Sequence, residues 1–370
     1  MGTARARLSG VLLGLDEFPF HQTTDTFAAV AGSDPSWNDG HYVCAADQAG
    51  TAAFTSNVRL YANNDVLDGF VCLRHNGRQY NVRVSRRLRP DMEHLGAGPL
   101  RLEIVEPLER VRLVLDENPT GIALDVTCHT ANTPYMGPIE VRRFEGRLLS
   151  ERATYEITGE CEGWVSVGGD RIDLVRTGSS FFRNHSWGYQ PPRGRPVSHG
   201  APQPGKRAPG VRQWVLFHTP SHGGFFFEDP SGRAAAGRGA ILAGDRVVPI
   251  VDVATDLEFH EGGRRLARGT FRLTDVEGDV REYEFEDLGW VYCQGGGYFG
   301  GFDDGLGQGV YRGDEHLEGE VWDVSHPTTI IDASGHRFEF EHDWAENFTL
   351  LRHAGSPGLA HYECVQIRER

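Results

Sequence analysis

Apolar and polar positions alternate with a period of two in nearly every patterned segment of this chain. Asp68-Gly69-Phe70-Val71-Cys72-Leu73, Arg101-Leu102-Glu103-Ile104-Val105 and Arg110-Val111-Arg112-Leu113-Val114-Leu115 show the pattern in the first half. Gly269-Thr270-Phe271-Arg272-Leu273, Glu282-Tyr283-Glu284-Phe285 and Arg337-Phe338-Glu339-Phe340-Glu341 continue it in the second. Such alternation turns apolar side chains to one face of a sheet and polar ones to the other. Turn formers stand between the runs: Asn76-Gly77, Gly168-Gly169-Asp170, Gly262-Gly263, Glu277-Gly278-Asp279 and Ser334-Gly335. No amphipathic helix longer than about three turns is indicated, and residues 21–31 are the place where a short one is expected. The pattern therefore predicts an all-β, mostly antiparallel chain.

One stretch breaks the rhythm. From Gln190 to Gly210 the sequence is rich in proline, glycine and arginine and has no apolar period, which suits a linker or a loop acting as a lid. It lies near the middle of 370 residues, a length suited to two domains. Each flanking half holds roughly eight strand candidates, the number that closes a small antiparallel barrel around one ligand. The expected organisation is a barrel domain over 1–190, a linker or lid over 191–210, and a second barrel domain over 211–370.

Composition narrows the partners. A net charge of −15 argues against nucleic acid and anionic membranes, both of which attract a basic face. No run approaches the ~20 apolar residues that span a bilayer, and Val11-Leu12-Leu13-Gly14-Leu15 is too short for a secretory segment. The expectation is a cytoplasmic protein with no transmembrane segment; a homo-oligomer is left open. The six cysteines contain no C-x-x-C pair and read as reduced core residues. The sixteen histidines form no H-x-H or H-E-x-x-H, so no metal is expected, and no cofactor is expected either, since there is no G-x-x-x-x-G-K-[ST] loop and Gly305-x-Gly307-x-Gly309 lacks the strand-turn-helix context of a dinucleotide site.

Chemistry is concentrated in Phe181-Phe182-Arg183-Asn184-His185-Ser186-Trp187-Gly188-Tyr189. Arg183-Asn184-His185-Ser186-Trp187-Gly188 resembles the R-D-H-S-W-G signature of the carotenoid 1,2-hydratase and AttH-like group. The resemblance implies two consecutive antiparallel lipocalin-like β-barrels packed together. It also implies a cofactor-independent enzyme that hydrates, cyclises or isomerises an isoprenoid- or polyketide-like substrate in an aromatic cavity. Tyr298-Phe299-Gly300-Gly301-Phe302-Asp303-Asp304-Gly305 and Glu318-Gly319-Glu320-Val321-Trp322-Asp323 are similar to a glycine-rich strand pair of that group's second barrel. Asn184 departs from the signature, since an amide replaces a carboxyl that could donate a proton.

His185 is the first choice for a general acid or an orienting group, because its ordinary pKa of about 6.5 permits either role. Arg183 suits polarising a carbonyl, pairing with a buried carboxylate, or stacking on Trp187. Asp303 and Asp304 are candidate carboxylates in a turn that favours Asp for backbone reasons alone. Glu320 and Asp323 flank Trp322 on opposite faces of a strand, so one of them is expected to face the cavity. Trp187, Trp290, Tyr298, Phe302 and Trp322 are the candidate walls for a hydrophobic small molecule, with Trp164 and Trp214 as further material. A carrier that binds such a ligand unchanged, and a protein whose barrels are filled by side chains, remain as alternatives.

Overall fold

The computed structural model describes residues 13–22, 24–30, 32–190, 209–230, 239–262, 265–338 and 344–367. The interruption expected at 191–210 lies almost wholly outside them. Regular structure among the described residues is β-strand with short 3-10 turns, as the two-residue period requires. Each alternating run falls in a strand: Asp68–Leu73 within Val66–His75, Arg101–Val105 within Leu100–Glu106, Glu282–Phe285 within Val280–Tyr292. The helix expected over 21–31 does not form among its described residues. The chain there runs through turns, and Asp16 Oδ1 fixes it by accepting the Phe27 N–H at 2.9 Å.

Two β units result. Eight antiparallel strands close into a barrel in the order Gly210–His218, Gly223–Glu228, Gly239–Ala243, Arg246–Phe259, Leu266–Asp275, Val280–Tyr292, Ala345–His353 and Ser356–Ile367, the last pairing with the first. The other unit is a 16-stranded sheet built mainly from residues 37–189. It curls enough for Leu100, Leu113 and Leu124 to join Val43, Leu67 and Val71 in one buried cluster. Between two neighbouring barrel strands, Val280–Tyr292 and Ala345–His353, the chain leaves for the large sheet. There Glu315–His326 pairs with Arg78–Arg87, and Thr329–Ile331 and Arg337–Phe338 extend the same edge. The second half of the sequence thus also builds part of the first sheet.

The strands Trp37–Asp47, Ala53–Tyr61, Val66–His75 and Ser179–Tyr189 are buried on both faces. One face supplies the core of the large sheet, with Val43, Val71 and Phe181. The opposite face packs on the barrel: Tyr42, Cys44, Phe70 and Phe182 meet Leu216, Phe225, Val291, Phe348 and Leu359. Burial on both faces explains why these strands read as near-continuous apolar runs. All six cysteines are buried and free, as expected of core residues. Among the described residues no helix is long and apolar enough to cross a membrane.

Candidate functional site

The Ser179–Tyr189 strand lies between Trp37–Asp47 and Arg147–Val167, with His41 and Tyr155 opposite His185, and Tyr42 and Glu156 opposite Asn184. Alternation therefore divides the signature between two places. Arg183, His185 and Trp187 turn to the interior of the large sheet, whereas Phe182, Asn184 and Ser186 turn to the seam with the barrel. Gly188 sits at φ +132°, where an added Cβ would lie 2.1 Å from the Glu151 carbonyl oxygen. The strand can approach its neighbour there only with glycine.

On the interior face, His185 Nε2 meets Asp39 Oδ1 at 2.7 Å and its Nδ1 meets Tyr155 Oη at 3.0 Å. Its ring lies 4.0 Å from that of His41 and 5.3 Å from that of Trp187. The Arg183 side chain is buried beside the Tyr155 ring, 5.8 Å from its centroid. His41 is held well below the ordinary histidine pKa, first by burial and then by the charges of His185, Arg183 and Arg59.

On the seam face, Glu156 is the residue that matters, and it was not singled out from the sequence. Its Oε1 accepts from Asn184 Nδ2 at 2.7 Å and from Thr154 Oγ1 at 3.2 Å. Its Oε2 is buried with no hydrogen-bond partner among the described residues. Burial pushes the carboxyl up to about 8, against the lowering influence of Asn184, Arg152 and Thr154. Burial thus favours the protonated form of Glu156 at neutral pH. The amide and the Thr154 hydroxyl occupy Oε1 and leave Oε2 open.

An aromatic circuit surrounds this acid. Tyr135, opposite Glu156 in the sheet, lies 5.8 Å from Phe225, which lies 5.8 Å from Trp214. Trp214 is 5.4 Å from His361, and His361 is 5.8 Å from Tyr42, the cross-strand neighbour of Asn184. Tyr42 Oη, Asn57 Oδ1 and Thr158 Oγ1 on the same seam are also buried and unpaired. A second carboxyl, Glu346, stands 3.1 Å from His361. Burial works to raise its pKa, but His361, Cys293 and Trp344 outweigh that and hold it below the ordinary glutamate value. The seam thus holds two buried carboxyls whose surroundings push them in opposite directions, Glu156 up and Glu346 down.

The remaining sequence candidates gather elsewhere. Glu320 receives both ends of the Arg83 guanidinium, at 2.8 and 2.5 Å, and the Asn81 amide at 2.9 Å. Arg83 Nε bonds Glu318 at 2.7 Å, its Nη1 bonds the Gly295 carbonyl at 2.9 Å, and Asp303 lies 3.5 Å away, largely exposed. Asp304 pairs with Arg312 at 3.0 Å, and Arg312 covers the Phe302 ring at 3.6 Å. Asp323 is exposed and caps its own turn by accepting from Ser325. Trp290 and Trp322 pack with each other's neighbours Tyr292, Val324 and Ile330 in a small core. Tyr298 lies against Phe70 on the seam. The structure thus brings Asp303 and Glu320 together on Arg83, and Arg183, His185 and Trp187 together in the sheet interior. It does not join these two groups in one pocket.

For a metal, Asp275, Glu277 and Asp279 lie close together. Asp275 Oδ1 is already taken by the Glu277 and Asp279 N–H groups, and its Oδ2 by Arg281 at 2.6 Å. That turn is satisfied by its own hydrogen bonds. An open groove of about 300 Å³ on the barrel wall, lined by Glu258, Arg268, Glu286 and Arg352, holds cross-strand ion pairs and none of the candidate residues.

Among solved structures, the chain is similar to kievitone hydratase from Nectria haematococca, with 11% identity over 89% of this chain and 88% of that one and a TM-score of 0.38. It is also similar to CghA, both with Sch210972 (10% identity, 90% and 89% covered, TM-score 0.48) and without it (10%, 91% and 90%, 0.47). Likeness of this degree transfers neither a reaction nor a ligand. No curated protein sequence matches. A family model matches residues 12–336, nearly the whole span that builds the large sheet and most of the barrel, and the chain belongs to that Family of unknown function (DUF8625).

Proposed function

We propose that this protein is a cofactor-independent enzyme that protonates an unsaturated hydrophobic small molecule held at the seam between its two β units. The observation that carries the reading is Glu156: a buried carboxyl, neutral at pH 7, with one oxygen fixed by Asn184 and the other unpaired beside an aromatic circuit. A general acid must hold its proton at working pH and release it to a positioned acceptor, and desolvation is the usual means of raising a carboxyl to that range.

Asn184 then has a definite task. It replaces the carboxyl of the R-D-H-S-W-G signature, and the acid lies one strand away, on the residue that Asn184 faces. Its N–H grips Oε1 and so directs the proton to Oε2. A cation formed by protonation would sit against Tyr42, Tyr135, Trp214 and Phe225, whose ring faces attract positive charge. The ionised Glu346 supplies a counter-charge on the same seam. Capture of that cation by water gives hydration, by an internal alkene gives cyclisation, and loss of a neighbouring proton gives isomerisation.

The test begins with native mass spectrometry and organic extraction of the protein from its own host, to identify a bound isoprenoid- or polyketide-like compound for assay. Glu156→Gln should lower kcat at least a hundredfold, the scale of a lost general acid, with KM little changed. The wild-type kcat should fall as pH rises through about 8. Equal turnover by the variant would remove Glu156 from the chemistry, and a bound compound released unchanged would favour a carrier.

A further inference from the structure

The opposite face of the same strand contains a group that the seam chemistry does not use. Arg183 is 2% exposed, yet its guanidinium has no carboxylate and no hydrogen-bond acceptor among the described residues, and its Nε is unpaired. What it does have is the Tyr155 ring, 5.8 Å from Cζ. A cation over an aromatic face gains a modest attraction. Withdrawing a charge from water without a partner costs more than that. The ring cannot offset that burial, so the site is short of an anion. By contrast Arg83, equally buried, has two carboxylates and a carbonyl.

We propose that Arg183 is the anchor of a second binding site, inside the large sheet, for the carboxylate of a singly charged organic acid. Three observations set the class of ligand. The planar guanidinium with free N–H groups matches a two-oxygen anion. Next, the charge on this face of the sheet beside it is close to +1, since Arg59, the other nearby cation, turns to the seam face, where it bonds Asn38 and Ser186. His185 is paired with Asp39 at 2.7 Å, and His41, whose buried Nδ1 is unpaired, is kept uncharged by its surroundings. A monocarboxylate is neutralised by that charge, whereas a phosphate dianion is not. Finally, the walls beside Arg183 are Val43, Ile157, Phe181 and Cys128 of the apolar cluster, which suit an apolar body behind the charged group. Exposure rises towards Asp39 and His185, so the ligand enters from that end.

The experiment uses the full chain and calorimetric titration with acetate, benzoate and octanoate. Octanol serves as the uncharged control and inorganic phosphate as the dianionic one. At least one carboxylate should bind tenfold or more tightly than octanol and phosphate, and should raise the melting temperature. Arg183→Met should lose that preference by at least tenfold, while Glu156→Gln, on the other face of the sheet, should keep it. Should Arg183→Met fold poorly, Arg183→Lys, which retains the charge but not the two-pronged geometry, should weaken benzoate or octanoate binding severalfold. The proposal is overturned if no carboxylate binds below 10 mM, a concentration limit set on the scale of about 3 kcal/mol. It is likewise overturned if octanol or phosphate binds as well as the carboxylates, or if Arg183→Met binds them as wild type does.

Discussion

Two clusters of buried ionisable groups flank the junction of the β units, and they are built on opposite principles. Around Arg83 each charge has its complement: Glu318, both oxygens of Glu320 and the Gly295 carbonyl. Around Glu156 the carboxyl has one occupied oxygen and one free, and Tyr42, Asn57 and Thr158 nearby are short of partners. A saturated network fixes the fold. Here it ties the glycine-rich segment to the sheet so closely that a Cβ on Gly295 would lie 2.1 Å from Asn81 Oδ1. An unsaturated one sacrifices stability and leaves groups that can act on a ligand.

The sharpest way to break this comparison is to remove the cation from the saturated cluster. Arg83→Met removes the cation shared by Glu318 and Glu320, leaves Glu318 with His316 and the Asp303 N–H and Glu320 with the Asn81 amide, and frees the Gly295 carbonyl. It should destabilise the protein by about 3–5 kcal/mol, the usual loss when one member of a buried ionic network is deleted. Urea unfolding would measure it. A change below about 1 kcal/mol would mean that the network is not what joins residues 293–323 to the sheet.

The next effect concerns Glu156 and has the opposite sign. Its carboxyl titrates at about 8 in the folded protein against 4.5 for the free group. The fold therefore favours the protonated form. That stabilisation is complete below 4.5, declines as pH rises from 4.5 to 8, and is gone above 8. Wild type should lose roughly 3 kcal/mol between pH 5 and pH 8 from this group. Glu156→Gln cannot ionise and should flatten that part of the curve, becoming the more stable protein at pH 8. Parallel curves for the two would show that Glu156 is not held neutral.

How far the sequence carried this picture depends on which residues must meet. The strands were legible because alternation is local, and Val66–His75 or Val280–Tyr292 could be placed without knowing their neighbours. The excursion of Glu315–His326 to pair with Arg78–Arg87 was not legible, because no local signal records which sheet a strand joins. In the signature, Asn184 gave notice of a missing acid. Seeing that this amide faces the buried carboxyl of Glu156, 28 residues away in sequence, required the register between two strands. The same register separates Arg183 and His185 from Asn184, residues that adjacency in sequence had grouped as one site. His361 and Glu346 lie farther still, on barrel strands that meet the sheet only through tertiary packing.

The smallest effect sharpens the comparison from its saturated side. Asp304 pairs with Arg312, but the carboxylate is about a third exposed, with 38% of its side chain open to water. Arg312 also bonds the carbonyls of Gly307 at 3.0 Å and Val310 at 3.3 Å and stacks on Phe302. Removing the charge with Asp304→Asn leaves these contacts in place and keeps an oxygen for the Leu306 N–H, now held at 2.8 Å. The loss should stay near that of a solvent-screened pair, about 0.5–1 kcal/mol. It should also shrink in acid: the Asp304 carboxyl is held below its ordinary value because Arg312 and Leu306 outweigh burial, so its stabilisation disappears as pH falls through that lowered pKa. A loss as large as that of Arg83→Met would place Asp304 within the saturated network that fixes the fold. A small one leaves Asp304 as a turn residue held by Arg312 at the surface.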